Sequence, residues 1–246
     1  MQLLVSVRSA EEVGPALAGG ADIIDAKEPN NGSLGRVSAE TLVRIAAELP
    51  PERNLSVALG DVSSTAEVDE ACQIVRRFHR TKPIYLKLGF AGVVARYQIQ
   101  QLIYYALGQV GSGYRIIPVA YADAPRAQTV APDVLLELVR DTPVSGMLLD
   151  TYRKDGTDLF AWSELEALAQ WVRRVQQRGL LAAVAGSLDT HQFGQLWNVR
   201  PDIVGVRGAA CEGGRQGRIS AQRVTALRHL LQEEPGVPGG SISYSS

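Results

Sequence analysis

Lysine is rare in this chain, although basic residues are not. The 246 residues include 25 lysines and arginines. Only four of these are lysines: Lys27, Lys82, Lys87 and Lys154. A lysine amine that is neutral near pH 7 can attack a carbonyl group and form a Schiff base, whereas an arginine guanidinium stays protonated. We therefore ask whether the fold brings these lysines together as a site for covalent amine chemistry.

Two aspartates accompany the lysines. Asp25 lies two residues before Lys27 in the stretch DIIDAKEP, so on a strand both side chains point the same way. Asp150 ends the apolar run GMLLD, four residues before Lys154. Charges that face an apolar core are costly unless they are paired, and a site rich in cations lowers the pKa of at least one amine. A single lysine in a protein is usually a solvated surface charge. The hypothesis of a site therefore depends on several of these lysines lying close together in the fold.

Short apolar runs alternate with longer amphipathic stretches along the chain. The candidate strands are residues 3–7, 23–27, 55–60, 84–89, 115–121, 146–150, 180–186 and 203–208. Helical spacing is clearest in residues 38–49, 66–80 and 162–179. A strand followed by a helix, eight times over, predicts a single α/β domain, a (β/α)8 TIM barrel over residues 1–234. A doubly wound sheet is the alternative, but no Gly-x-Gly-x-x-Gly follows the first strand.

In such a barrel, active-site residues come from the C-terminal ends of the strands. Only Lys82 falls at the opposite end, and the other three lysines fall on the second, fourth and sixth strands. Alternate strands fill one interior layer of a barrel. We therefore expect one layer at the mouth to hold these side chains: Asp25, Lys27, Lys87, Asp150 and Lys154.

The overall composition limits the classes of molecule that the protein is expected to bind. A formal net charge of −1 gives no electrostatic reason to expect nucleic acid or an anionic membrane. Two cysteines without paired spacing favour a reducing compartment, and no signal peptide or membrane-spanning run is visible, so we expect a cytoplasmic protein. Three scattered histidines predict neither a metal site nor a metal cofactor, and we expect no cofactor. The tail, residues 235–246, is expected to be disordered, and a homo-oligomer is left open.

Five stretches, in this order, resemble the (5-formylfuran-3-yl)methyl phosphate synthase family: DIIDAKEPNNGSLG, YLKLG, LLDTYRKDGTDLF, AGSL and DIVGVRGAACEGGRQGRI. Its members are also called 4-(hydroxymethyl)-2-furancarboxaldehyde-phosphate synthases. The resemblance implies a lyase that needs no cofactor and builds the furan ring of methanofuran-type C1 carriers from two molecules of glyceraldehyde 3-phosphate. It implies that Lys27 forms the Schiff base and that Lys87 accepts a proton. The supporting polar positions are Asp25, Asp150 and Lys154.

Substrates of that kind carry phosphate, so the site needs groups that bind anions. Barrels often bind phosphate with the loops after strands seven and eight, where AGSLD and VRGAAC stand. A second phosphate is expected at the NNGSLG loop. The predicted phosphate-binding residues are Gly186, Ser187, Arg207, Gly208 and Ser33. The glycines could instead simply end strands, and the role of Glu28, where the family often has asparagine, stays open.

Two other functions remain open at this point. One is another Schiff-base aldolase or lyase that acts on small sugar phosphates. The other is a non-catalytic barrel that binds a phosphorylated metabolite and forms no covalent adduct.

Overall fold

A computed structural model describes residues 1–76 and 82–233 of the chain. Eight parallel strands close into a barrel in sequence order, with β1 paired to both β2 and β8. This confirms the predicted barrel. The strands are β1 (Gln2–Val7), β2 (Ile23–Ala26), β3 (Asn54–Asp61), β4 (Ile84–Gly89), β5 (Tyr114–Tyr121), β6 (Gly146–Asp150), β7 (Leu181–Val184) and β8 (Ile203–Val206).

Helices connect the strands. Those of the described residues are α1 (Val13–Ala18), α2 (Ala39–Glu48), α3 (Thr65–Val75), α4 (Arg96–Gln109), α5 (Ala124–Ala127), α6 (Pro132–Leu138), α7 (Leu165–Gln177), α8 (Leu196–Val199) and α9 (Ala221–Gln232). After β8, a short antiparallel ribbon is formed by β9 (Cys211–Glu212) and β10 (Arg218–Ile219). The last residues of the predicted helix 66–80 and the whole tail 235–246 lie outside the described residues.

Local hydrogen bonds explain where the predicted helices begin and end. Ser38 accepts a hydrogen bond from the backbone N–H of Thr41 at 3.1 Å, which starts α2 as expected. Helix α7 begins three residues later than predicted, because residues Leu159–Ala161 form a separate 3-10 turn. It ends as predicted before Gly179, whose φ of +73° suits glycine.

Two apolar layers stabilise the fold. The larger layer packs the outward faces of the strands against the helices. The smaller layer fills the barrel interior and includes Leu4, Ile23, Ile117, Leu148, Ala183 and Ile203. Because several interior residues are small, the inner layer leaves space towards the C-terminal mouth.

The strand register fixes which charged side chains meet. Asp25 of β2 aligns with Ser56 of β3, which aligns with Tyr85 of β4. Barrels of this kind stagger by about one residue per strand, so Asp25 shares its interior layer with Lys87, two residues beyond Tyr85. The same stagger places Lys27, together with Asp150 of β6, in the next layer towards the mouth that the even-numbered strands contribute. The expectation of one charged layer is therefore wrong, because these charges occupy two layers.

Candidate active site

A cavity of about 310 Å3 occupies the C-terminal mouth of the barrel. This is at the lower end of the range for small-molecule sites, about 300–1,000 Å3. Its polar lining comprises Ser6, Lys27, Ser56, Tyr85, Lys87, Asp150, Lys154, Ser187, Asp189, Arg207 and Arg215. All three lysines predicted at this end line the cavity, whereas Lys82 is exposed and does not.

Lys87 and Asp25 form a buried ion pair at the inner end of the site. Lys87 Nζ lies 2.7 Å from Asp25 Oδ2, and Ser6 Oγ donates to the same oxygen at 2.7 Å. Burial alone would raise the pKa of Asp25, but the charges of Lys87 and Lys27 bring it below its usual value. The other oxygen, Oδ1, is buried and has no hydrogen-bond partner among the described residues. Asp25 is fully buried and does not itself line the cavity, so it acts on the site through Lys87.

Lys154 and Asp150 form a second pair nearer the mouth. Lys154 Nζ lies 2.6 Å from Asp150 Oδ1 and also donates to Thr151 Oγ1 at 3.1 Å. Burial lowers the pKa of Lys154, whereas the charges of Lys154 and Lys27 overcome burial and lower the pKa of Asp150. The loop that carries Lys154 is fixed by buried Asp123, which accepts the backbone N–H of Tyr152 at 2.6 Å.

Lys27 lies between the two ion pairs. Unlike Lys87 and Lys154, it has no carboxylate within 4.0 Å among the described residues. Its side chain is buried, and Nζ donates no hydrogen bond to any residue that the structure describes. Burial, and then the neighbouring charge of Lys87, lowers the pKa of Lys27 from 10.5 to about 7. About half of the amine is then neutral near pH 7, and an unprotonated amine can act as a nucleophile.

The loops after β7 and β8 border the cavity with backbone N–H groups. Gly186, Ser187 and Gly208 line it, and their N–H groups donate to no described residue. Gly186 has a φ of +122°, and a Cβ there would lie 3.1 Å from Thr151 Cγ2. Ser187 has a φ of +53°, which is uncommon outside glycine. This backbone turn ends β7 two residues earlier than predicted and leaves these N–H groups beside the cavity without an acceptor among the described residues.

Ser33 does not line the cavity. Its hydroxyl is buried and donates to Tyr121 Oη at 3.2 Å, and Tyr121 donates to Asp61 Oδ1 at 2.8 Å. Burial raises the pKa of Asp61. The expected contact of Ser33 with a phosphate is therefore contradicted by its position in a separate buried network.

Arg207 lines the cavity, but every N–H group of its guanidinium already donates to another residue of the protein. It forms a buried ion pair with Glu12, in which Nη2 lies 3.0 Å from Oε1, and Nη1 contacts the other oxygen. Its remaining N–H groups donate to the carbonyl oxygens of Ser6, Arg215 and Gly217, at 3.0, 3.1 and 2.9 Å. Because arginine has five N–H donors, none is left for a bidentate phosphate contact. The predicted phosphate-binding role of Arg207 is wrong, and its role is structural.

Replacing Arg207 by methionine should lower the free energy of unfolding by about 3–5 kcal/mol, because buried Glu12 would lose its buried ion-pair partner and keep only its contacts with half-exposed Arg8. Urea unfolding followed by circular dichroism measures this change. The control is Arg218→Met, since Arg218 is an exposed arginine of the same loop. A loss below about 1 kcal/mol, as for surface ion pairs, would show that the pair does not stabilise the barrel.

Five polar residues of the cavity lining were not predicted from the sequence: Ser6, Ser56, Tyr85, Asp189 and Arg215. Ser6 contacts Asp25, and its only sequence signal was its position near the end of a predicted strand. Arg215 lines the cavity from the loop after β8, within the stretch GAACEGGRQGRI, but the direction of its side chain depends on the folded loop. Glu28, whose role was open, accepts the backbone N–H of Asn30 at 2.9 Å and begins a 3-10 turn.

The chain is similar to known proteins over nearly its whole length. A family model described as 4-HFC-P synthase matches residues 3–228 of the chain. A (5-formylfuran-3-yl)methyl phosphate synthase from Methanocaldococcus jannaschii is 35% identical over 237 residues, which cover 94% of this chain and 100% of that protein. A protein of the same name from Methanothermobacter thermautotrophicus is 33% identical over 238 residues, covering 94% and 99%.

Solved structures show the same barrel fold at low sequence identity. A phosphoribosyl anthranilate isomerase from Thermus thermophilus has a TM-score of 0.61 at 17% identity and covers 94% of this chain and 98% of its own. A 3-hexulose-6-phosphate synthase has a TM-score of 0.60 at 16% identity, covering 94% and 100%. Within the described part of the chain, every helix is too short or too polar to cross a bilayer.

Proposed function

The chain belongs to the 4-HFC-P synthase family, and from this premise we propose that it converts two molecules of glyceraldehyde 3-phosphate into (5-formylfuran-3-yl)methyl phosphate. The reaction proceeds through a Schiff base on Lys27, and the enzyme acts as a carbon–oxygen lyase on phosphates. The observation that carries this proposal is a buried amine with a pKa of about 7, placed between two lysine–aspartate pairs in one cavity.

Lys27 begins the reaction. Its neutral amine adds to the carbonyl carbon of one triose phosphate, water leaves, and the iminium makes the adjacent C–H acidic. Lys87 first passes one proton to Asp25, which lies 2.7 Å from its Nζ, and the amine that is then neutral accepts the proton from this C–H. The resulting enamine expels phosphate or attacks the aldehyde of the second molecule.

The later steps close and dehydrate the ring. Asp150 and Lys154 lie 2.6 Å apart, so one proton can pass between them while hydroxyl groups leave as water. Two triose phosphates contain the atoms of the product, one phosphate and two waters. The balance needs neither an oxidant nor a reductant, so proton transfers and a covalent amine are sufficient.

The substrate phosphates need anion-binding groups at the mouth. We assign this role to the backbone N–H groups of Gly186, Ser187 and Gly208, because these residues line the cavity and barrels often bind phosphate with the loops after strands seven and eight. A cytoplasmic location is part of the proposal, and it is supported by two cysteines that are both free and buried.

The test is whether purified protein forms a furan aldehyde from glyceraldehyde 3-phosphate alone, followed by its ultraviolet absorbance and by release of inorganic phosphate. We expect one phosphate for each furan formed. Consumption of the triose phosphate without furan absorbance would instead indicate another Schiff-base aldolase or lyase. No consumption at all would favour a barrel that only binds its ligand.

A further inference from the structure

Arg215 reaches across the mouth of the barrel from the loop after β8 to the loop after β2. Its Nη2 donates to the carbonyl oxygen of Gly32 at 2.8 Å, and its side chain lines the cavity. Two glycines precede it, Gly213 and Gly214, with φ of +80° and +73°. These left-handed conformations turn the chain back towards the cavity, which a larger residue would resist.

The backbone of Arg215 is fixed by the buried ion pair described above. Arg207 donates to the carbonyl oxygen of Arg215 at 3.1 Å and to that of Gly217 at 2.9 Å. Since Arg207 is itself paired with buried Glu12, the loop is attached to the barrel wall at Arg215 and again two residues beyond it. Its position is therefore set by the protein before a ligand arrives.

The guanidinium of Arg215 keeps donors that the protein does not use. Only Nη2 donates to described residues, so the Nε and Nη1 groups remain for an oxyanion. The charge of Arg215 interacts with those of Asp150 and Lys154, which places it towards the reactive end of the cavity. Arginine with several unused donors is suited to bidentate contact with phosphate.

Charge pairing separates Arg215 from the other cations of the cavity. Lys87, Lys154 and Arg207 each have a carboxylate within 4.0 Å. Arg215 has no such partner among the residues that the structure describes. The amine of Lys27 is needed for covalent chemistry. Among the other lysines and arginines that line the cavity, Arg215 is the one whose charge is left for an anionic ligand to neutralise.

We propose that Arg215 binds the phosphate of one of the two triose phosphates, at a site separate from the backbone N–H groups of Gly186 and Ser187 in the loop after β7. The identity of the ligand rests on the proposed function, although the anion site itself does not. Two phosphate sites, one in the loop after β7 and one at Arg215, explain how one cavity can hold two phosphorylated molecules.

The test replaces Arg215 by glutamine and by lysine, with Arg218→Gln as the matched control from the same loop. Arg215→Gln should raise the KM for glyceraldehyde 3-phosphate by about ten- to hundred-fold, as expected for loss of a charge-assisted contact, and change kcat less. Arg215→Lys should fall between Arg215→Gln and the wild type, because an ammonium keeps the charge but not the fork of donors. Arg218→Gln should match the wild type.

Calorimetric titration with inorganic phosphate separates this proposal from the proposed function. The wild type and Arg218→Gln should bind two phosphates, and Arg215→Gln should bind one. If the wild type forms no furan but shows this pattern, the proposed function fails and the Arg215 site stands. If Arg215→Gln keeps both the wild-type KM and the second phosphate, the Arg215 site is overturned whatever the reaction.

Discussion

Replacing Lys27 by arginine should lower turnover by at least about 10⁴-fold, because the positive charge is kept but the nucleophile is lost. A guanidinium does not become neutral near pH 7 and cannot form the iminium. Furan formation from glyceraldehyde 3-phosphate, measured with enzyme at high concentration, gives the residual rate. The size of the loss follows from the covalent step itself, since every later step needs the enamine.

The matched control for this variant is Lys82→Arg. Lys82 is exposed before β4, at the end of the barrel opposite the cavity. The same chemical change there should leave the rate within about two-fold, as expected of a surface position. If Lys27→Arg retained wild-type turnover, another group would have to form the covalent bond, and the mechanism would be wrong.

Replacing Lys87 by methionine should lower kcat/KM by about 10²- to 10⁴-fold, the range expected for loss of a proton acceptor. A second effect follows from its charge. Because the positive charge of Lys87 helps to lower the pKa of Lys27, its removal should raise that pKa and reduce the neutral fraction of the amine at pH 7. In the wild type, kcat/KM should rise with pH through about 7. In Lys87→Met, the rise should move to higher pH.

Lys87→Arg separates the two effects of Lys87. An arginine keeps a cation beside Lys27 but is a poor proton acceptor, so this variant should lose rate without a shift of the pH profile. Profiles of kcat/KM against pH for the two variants make the comparison. If both profiles rose at the wild-type pH, the charge of Lys87 would not control the amine of Lys27.

The barrel could be predicted from the sequence because strand and helix patterns alternate regularly, and the strand ends locate the mouth. Lys27 and Lys87 could be placed there because side chains alternate along a strand and lysine is rare in this chain. The sequence could not predict that Lys27 and Lys87 lie in different layers of the barrel interior. That division depends on the stagger between strands, and the strand register is visible only in the folded barrel.

The contacts of Arg207 and Arg215 could not be predicted from the sequence. Arg207 directly follows a strand, as a phosphate-binding residue often does. Its donors are used by Glu12 and Ser6, 195 and 201 residues away in the sequence, and by two carbonyl groups of the following loop. Arg215 lies in a glycine-rich loop, and its direction is set by contacts with the loop after β2. The position of Ser33 likewise depends on Tyr121, which is 88 residues away in the sequence.

Borohydride trapping tests the covalent role of Lys27 most directly. The wild-type protein is incubated with glyceraldehyde 3-phosphate, reduced, digested and analysed by peptide mass spectrometry. We expect a reduced adduct on the peptide that contains Lys27, which is absent without substrate and absent in Lys27→Arg. An unmodified Lys27, or an adduct at Lys87 or Lys154 instead, would contradict the assignment.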